Sequence, residues 1–103
     1  MTRWIRCRWD DEDVWYYFEV DDDGWVTRQV ELHGPQREPT TAASLDEWQR
    51  ELAAGRIERY QARYGLLSDQ PVTTWEGHDP QPLGADEFEQ VWNRARQHLR
   101  ASA

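Results

Sequence analysis

Alternation of apolar and polar side chains dominates the first third of the chain and predicts strands. The strands fall within residues 3–9, 14–20 and 25–33, and short turns join them. Connections this short favour an antiparallel meander, because a parallel pair needs a crossover of about a dozen residues or more. Asp23-Gly24 is a typical hairpin signal between the second and third strands. We therefore predict an antiparallel sheet over residues 3–33.

The apolar period changes from two to about 3.6 at Ser44, which predicts helices in the second half of the chain. Ser44 and Glu47 have the spacing of a capping box, so a helix is expected to begin there. The apolar stripe rotates at Gly55, and we expect two short helices within residues 45–64, with Gly65 ending the second.

The remaining stretches complete the predicted fold. Residues 39–43 are a candidate fourth edge strand, residues 66–84 are rich in Pro and Gly and predict a loop, and residues 85–101 predict a C-terminal helix. The predicted class is α+β in a single domain over residues 1–103. Its architecture is a three- to four-stranded antiparallel meander sheet, packed by the C-terminal helix and two short central helices.

We expect one face of the sheet to be buried by the C-terminal helix. The strand residues assigned to it are Val14, Tyr16, Phe18 and Val20, and the helix is expected to bring Phe88 and Trp92 against Tyr16 or Phe18. The opposite face interleaves aromatic rings with charge, which is typical of interaction surfaces. Its proposed binding residues are Trp4, Arg6, Arg8, Trp15, Tyr17 and Trp25, and it also carries Glu19, Gln29 and Glu31. The alternative is that a helix or the loop at 66–84 covers these rings, which would make them a second small core.

Arg28 stands out because it shares a predicted strand face with apolar residues. A buried guanidinium needs an acceptor, so a structural ion pair is one interpretation. The other is an anion-binding pocket between the sheet and the 66–84 loop, with Arg28 and Trp75 as its candidate residues. On the second helix, Arg56, Arg59 and Arg63 form a basic ridge, which we interpret as a solvated face.

The sequence contains no catalytic, cofactor or metal signature. The stretch from Glu19 onwards faintly resembles a calcium loop, but the position that requires a bidentate Glu holds Val30. The three histidines have no ligand spacing, and the motifs of nucleotide-binding loops and nucleophile elbows are missing from the sequence. We therefore expect no catalytic residue, no metal and no cofactor.

Charge and cysteine content narrow the classes of partner. The net charge of −8 argues against nucleic acid, because phosphate binding requires a basic footprint, and it favours a basic protein partner. Self-association as a homodimer is a second option, with Arg6 and Arg8 meeting acids of another copy. A single cysteine, Cys7, excludes an internal disulfide, and no apolar run reaches membrane-spanning length. We expect a cytoplasmic protein without membrane contact.

Two segments carry a family resemblance. These are WIRCRWDDEDVWYYFEVDDDGWVTRQVEL near the start and EFEQVWNRARQHL near the end. In them the chain resembles a group of small proteins of unknown function from GC-rich actinobacteria, and the resemblance implies no activity. In size and acidity the chain is also similar to bacterial immunity proteins, which neutralise basic toxins by surface contact.

Two functions follow as hypotheses. The first is a non-catalytic protein-binding domain, of an interaction or immunity-like kind, that uses the aromatic sheet face. The second is a small-molecule or anion-binding domain with a Trp-lined pocket beside the 66–84 loop. An enzyme ranks third because the sequence shows no convergent catalytic groups.

Overall fold

The computed structural model describes residues 1–9, 11–68 and 80–101. Its strands are β1 (Arg3–Trp9), β2 (Val14–Val20), β3 (Val26–His33), β4 (Glu38–Ser44) and β5 (Gln81–Leu83). Its helices are α1 (Leu45–Ala53), α2 (Ile57–Tyr64) and α3 (Ala85–Ala101). The α+β class, the antiparallel meander and the C-terminal helix are confirmed.

The strands form one antiparallel sheet in the order β4-β3-β2-β1-β5. β4 is a full strand of seven residues, longer than the edge strand expected at 39–43. β5 corrects the sequence prediction, because it lies within residues 66–84, where we expected a loop. Its three residues pair with β1 and extend the sheet beyond the meander, so strand pairing outweighs the poor strand propensity of Pro82.

The two central helices end where glycine permits a left-handed backbone. A turn with Gly55 at φ 76° separates α1 from α2, and α2 ends at Gly65 with φ 83°. Half of the expected capping box forms: the Glu47 backbone N–H donates to Ser44 Oγ at 3.5 Å. The other half is replaced, because the hydroxyl oxygen of Tyr60 accepts from the Ser44 backbone N–H at 2.8 Å.

A β-bulge decides which side chains of β2 and β3 share a face. Val20 lies opposite Val26, but its neighbour Glu19 lies opposite Arg28, so Thr27 is the extra residue. The Thr27 hydroxyl donates to Glu19 Oε1 at 2.8 Å and thereby holds the bulge. A shift of one residue exchanges the faces of all side chains beyond it.

The predicted facing of the sheet is therefore wrong. We expected Tyr16 and Phe18 to contact the C-terminal helix. Instead Tyr17 lies opposite Val30, and both belong to one buried cluster with Phe88 of α3. Phe18 belongs to a second cluster. α3 thus covers the face that carries Trp4, Trp15 and Tyr17, which we name the helix face.

Both sheet faces carry buried apolar side chains. The first cluster, on the helix face, contains Tyr17, Val30, Leu32, Ala42, Phe88, Ala95 and Leu99. The second, on the opposite face, contains Ile5, Cys7, Phe18, Val20 and Val26. Leu67 packs against the second cluster, and the Ser68 backbone N–H donates to Gln29 Oε1 at 2.8 Å. The first residues after α2 therefore run over the face that α3 leaves uncovered.

Candidate functional site

Trp15 lies on the helix face without being fully buried. It is the second residue of β2, opposite Arg8 of β1 and Leu32 of β3. Its half-buried ring packs against the first cluster. The indole is therefore anchored in the core and still reaches the surface.

Three arginines surround this indole. The guanidinium carbon lies 5.4 Å from the Trp15 ring centroid for Arg6, 5.6 Å for Arg8 and 5.5 Å for Arg37. Each distance is within the range of a cation–π contact, worth about 0.5–1 kcal/mol at exposed sites. We name Trp15, Arg6, Arg8 and Arg37 the Trp15 cluster.

Neighbouring side chains and turns hold the cluster in place. Arg6 Nε donates to Gln81 Oε1 of β5 at 3.4 Å, and Arg8 Nη2 donates to Asp13 Oδ1 at 3.3 Å. The Gly34 backbone N–H donates to the carbonyl oxygen of Asp13 at 2.9 Å. This bond ties the β1–β2 turn to the β3–β4 turn, from which Arg37 projects.

Backbone strain coincides with the cluster. In the described ranges, the non-glycine residues with positive φ are Asp13, at 51°, and Arg37, at 52°. Asp adopts this conformation several times more often than most residues, whereas for Arg it costs about 1–2 kcal/mol relative to Gly. Such strain tends to occur at functional sites, where the side chain is needed at that position.

The cluster is a positive region on an acidic molecule. Among the described residues, Asp13 is the carboxylate that pairs with one of its arginines, Arg8. Beside it, a cavity of about 310 Å³ is lined by Arg37 together with Arg94 and His98 of α3, and by Glu38. Guanidinium groups supply hydrogen-bond donors in a planar fork, and the indole supplies an apolar face. Together they suit an oxyanion next to an apolar group.

The structure separates the predicted binding residues into different environments. Arg6, Arg8 and Trp15 come together as described above. Tyr17 is buried under α3, and Trp4 is half-buried against the same cluster, its Nε1 donating to Glu19 Oε2 at 3.0 Å. For these two rings the alternative of a covered face holds, because the register shift at the bulge turns them towards the first cluster, which contains Phe88 of α3.

The other predicted residues lie elsewhere. Trp25 is exposed next to the β2–β3 hairpin, at the far end of β2 from Trp15. Of the remaining residues expected on this face, Gln29 pairs with Phe18 and is buried on the opposite face. Trp75 lies outside the described residues.

Arg28 is engaged in a structural ion pair. Its Nη2 lies 2.6 Å from Glu19 Oε2 and also bonds Glu89 of α3. Its guanidinium carbon is 4.9 Å from the Phe88 ring centroid. Burial by itself raises the pKa of Glu19, but hydrogen bonds from Arg28, Thr27 and Trp4 outweigh it, and the pKa lies below its ordinary value. Arg28 therefore joins β2, β3 and α3.

A second buried arginine was missed by the sequence prediction. Arg96 is 5% exposed; its Nε donates to the Ala42 carbonyl oxygen at 2.7 Å and its Nη1 to Glu47 Oε2 at 3.1 Å. Its guanidinium carbon lies 3.9 Å from the Tyr64 ring centroid and 4.4 Å from that of Trp92. A signal existed, because residue 96 is four positions after Trp92 and so falls beside the apolar stripe of α3.

Arg37 was also missed, and no sequence pattern indicates it. It lies in a turn, 22 positions after the indole that it contacts, and only the paired turns bring the two together.

The described ranges offer neither a metal site nor a membrane-spanning helix. They contain no group of three or more His, Cys, Asp or Glu residues that could hold a metal ion. No helix within them combines the length and apolarity needed to cross a membrane.

Comparison with known proteins adds nothing to this geometry. No protein-family model, no curated protein and no solved structure matches the chain.

Proposed function

We propose that this chain is a non-catalytic protein-binding domain that holds an acidic segment of a partner protein at the Trp15 cluster. The observation that carries the proposal is the placement of three guanidinium groups within 5.6 Å of one half-buried indole. Trp and Arg dominate the energetic centres of protein interfaces, because they combine a large contact area with directional donors.

Local charge favours an acidic segment over the basic partner expected from the net charge. Among the described residues, three guanidinium groups meet at the cluster and Asp13 pairs with one of them, so a carboxylate from a partner is attracted there. A long polyanion such as nucleic acid would extend beyond a site of this size, and the many acidic residues elsewhere on the chain would repel its phosphates.

The strained turn gives a second line of support. Arg37 occupies a backbone conformation in which Gly is the favourable residue, and its guanidinium contacts Trp15 from there. A side chain kept at that cost fits a role in binding better than a role in folding.

A peptide titration tests the proposal. The probe is a short peptide of alternating Glu and Leu, and the readout is the indole Nε1–H resonance of Trp15 in the labelled full chain. We expect this resonance to shift, with binding weakened by salt because ion pairs carry it. A matched peptide with Gln in place of Glu should bind at least about tenfold more weakly.

Charge-matched variants locate the site. Arg37→Gly and Arg6→Gln should each weaken binding of the Glu peptide by about five- to tenfold, whereas Arg100→Gln, at an exposed position of α3, should not. The proposal is wrong if the Gln peptide binds equally well, if Arg100→Gln has the same effect, or if an oligothymidylate binds more tightly than the Glu peptide.

A further inference from the structure

A second concave site lies along α2 and shares no residue with the Trp15 cluster. The cleft has a volume of about 790 Å³, and its walls are α2, Thr40 of β4, Glu51 of α1 and Leu99 of α3. Volumes of about 300–1,000 Å³ are typical of small-molecule sites. The cleft is therefore large enough for a small organic ligand.

One wall of the cleft is basic. Arg56, Arg59 and Arg63 line it, and their spacing of three and four residues puts them on one stripe of the helix. Arg56 Nε is 2.7 Å from Glu51 Oε2 and is paired with it. Arg59 and Arg63 are exposed and form no salt bridge with residues in the described ranges. Two guanidinium groups thus face the cleft without a carboxylate partner there.

The other wall is apolar and well anchored. It contains Tyr64 and Leu99, and Ala62 also lines the cleft but is exposed and lies three positions from Arg59 on α2. The Tyr64 ring contacts the guanidinium of Arg96, whose carbon is 3.9 Å from its centroid, and the Tyr60 ring, whose centroid is 5.2 Å away. Because Leu99 belongs to the first cluster and Tyr64 packs against it, a ligand would not have to order these two side chains.

We propose that this cleft binds a small organic anion. Its oxyanion group lies between Arg59 and Arg63, and its apolar part lies against Tyr64 and Leu99. Guanidinium groups bind phosphate and carboxylate alike through paired N–H bonds, so the shared chemistry is an oxyanion on an apolar body. The sequence prediction of a solvated basic ridge did not include the apolar part of this lining, because Leu99 comes next to the arginines only through the packing of α2 against α3.

Small aryl probes test the site and separate the two oxyanions. The labelled full chain is titrated with phenyl phosphate and with benzoate, and the Ala62 methyl and the Arg59 and Arg63 Nε–H resonances are followed. We expect both anions to shift these resonances, and phenyl phosphate to bind more tightly if two arginines share a dianion. Phenol has the ring without the oxyanion, and inorganic phosphate has the oxyanion without the ring. Each should bind at least about tenfold more weakly than the better anion.

Variants at exposed positions keep the test independent of folding. Arg59→Gln/Arg63→Gln should weaken binding of the better anion at least about tenfold, while Arg3→Gln/Arg100→Gln removes the same charge outside the cleft and should change little. Ala62→Glu places a competing carboxylate in the cleft and should also abolish binding, whereas Ala62→Gln, of the same size, should not.

Several outcomes would overturn the proposal. The first is that phenol binds as tightly as the anions, and the second is that the two double variants weaken binding equally. The third is that no resonance shifts at up to about 10 mM probe, because a specific site of this kind requires a lower Kd. Arg37→Gly should leave anion binding intact, so failure at the Trp15 cluster and failure at the α2 cleft are distinguishable.

Discussion

The hydroxyl group of Tyr60 donates a hydrogen bond to Glu47 Oε1 at 2.8 Å. The same carboxylate accepts from Arg96, and the same hydroxyl accepts from the Ser44 backbone N–H. One side chain of α2 thereby connects the start of α1 with α3. The packing of α1, α2 and α3 against one another should therefore depend on this network.

The network should fail in alkali. Burial raises the pKa of Tyr60 to about 12 from an ordinary 10. Because the folded-state pKa lies above the unfolded value, the contribution to stability is complete below about pH 10 and is lost as the pH rises towards about 12. We expect Tyr60→Phe to cost about 1 kcal/mol at neutral pH. The gap between parent and variant in urea unfolding should close over that pH range, and a constant gap would contradict the prediction.

Removal of Arg96 should be the most damaging single charge change. Arg96→Met removes one donor to the Ala42 carbonyl and the charged partner of the Glu47 carboxylate, and we expect a loss of about 3 kcal/mol in the free energy of unfolding. Arg100→Met, on the exposed part of the same helix, serves as the control and should change stability by less than about 0.5 kcal/mol. Chemical denaturation measures both, and equal losses would mean that the ion pair is not structural.

Acid should weaken the same network by protonating Glu47. Burial raises the pKa of Glu47, but hydrogen bonds from Arg96 and Tyr60 outweigh it and hold the pKa below its ordinary 4.5. A depressed folded-state pKa contributes stability above about pH 4.5 that is lost as the pH falls through the folded-state value. Glu47→Gln should therefore show a flatter stability profile than the parent below about pH 5. Thermal melts from pH 3 to pH 7 provide the comparison.

Gly65 should tolerate substitution less well than Gly55, although both have positive φ. A Cβ on Gly65 would lie 2.5 Å from Thr41 Oγ1, whereas a Cβ on Gly55 meets no atom within 4 Å. Gly55→Ala should cost about 1 kcal/mol, and Gly65→Ala should cost about 2 kcal/mol or more because Thr41 must also move and because ψ at Gly65 is −165°, a region essentially restricted to Gly. Similar losses in the two variants would show that the contact between α2 and β4 is looser than described.

Arg37→Gly should separate binding from stability. Gly relieves the positive φ of 52° but removes the contact with Trp15, so the free energy of unfolding should change by less than about 1 kcal/mol. Binding of the Glu-Leu peptide should nevertheless weaken as proposed above. If the free energy of unfolding of the variant instead falls by several kcal/mol, Arg37 stabilises the fold, and its positive φ is no evidence for a role in binding.

The sequence by itself determined the elements and most of their ends. Gly55 interrupts the helical pattern, Gly65 ends α2, and the Ser44–Glu47 spacing marks the start of α1, because each depends on backbone preferences within a few residues. The grouping of Arg6, Arg8 and Trp15 on one face was also predictable, since β1 and β2 pair without a bulge.

The tertiary structure alone decided which face the helix covers and where the candidate sites lie. Thr27 is one extra residue in β3, and it reverses which side chains of β3 share a face with those of β2. The periodicity of a single strand cannot reveal such a register shift of one residue. Arg37 reaches Trp15 only because the two turns pair, and the α2 cleft exists only where α2 packs against β4 and α3. Contacts of this kind depend on register and packing between residues far apart in the chain, which local preferences do not encode.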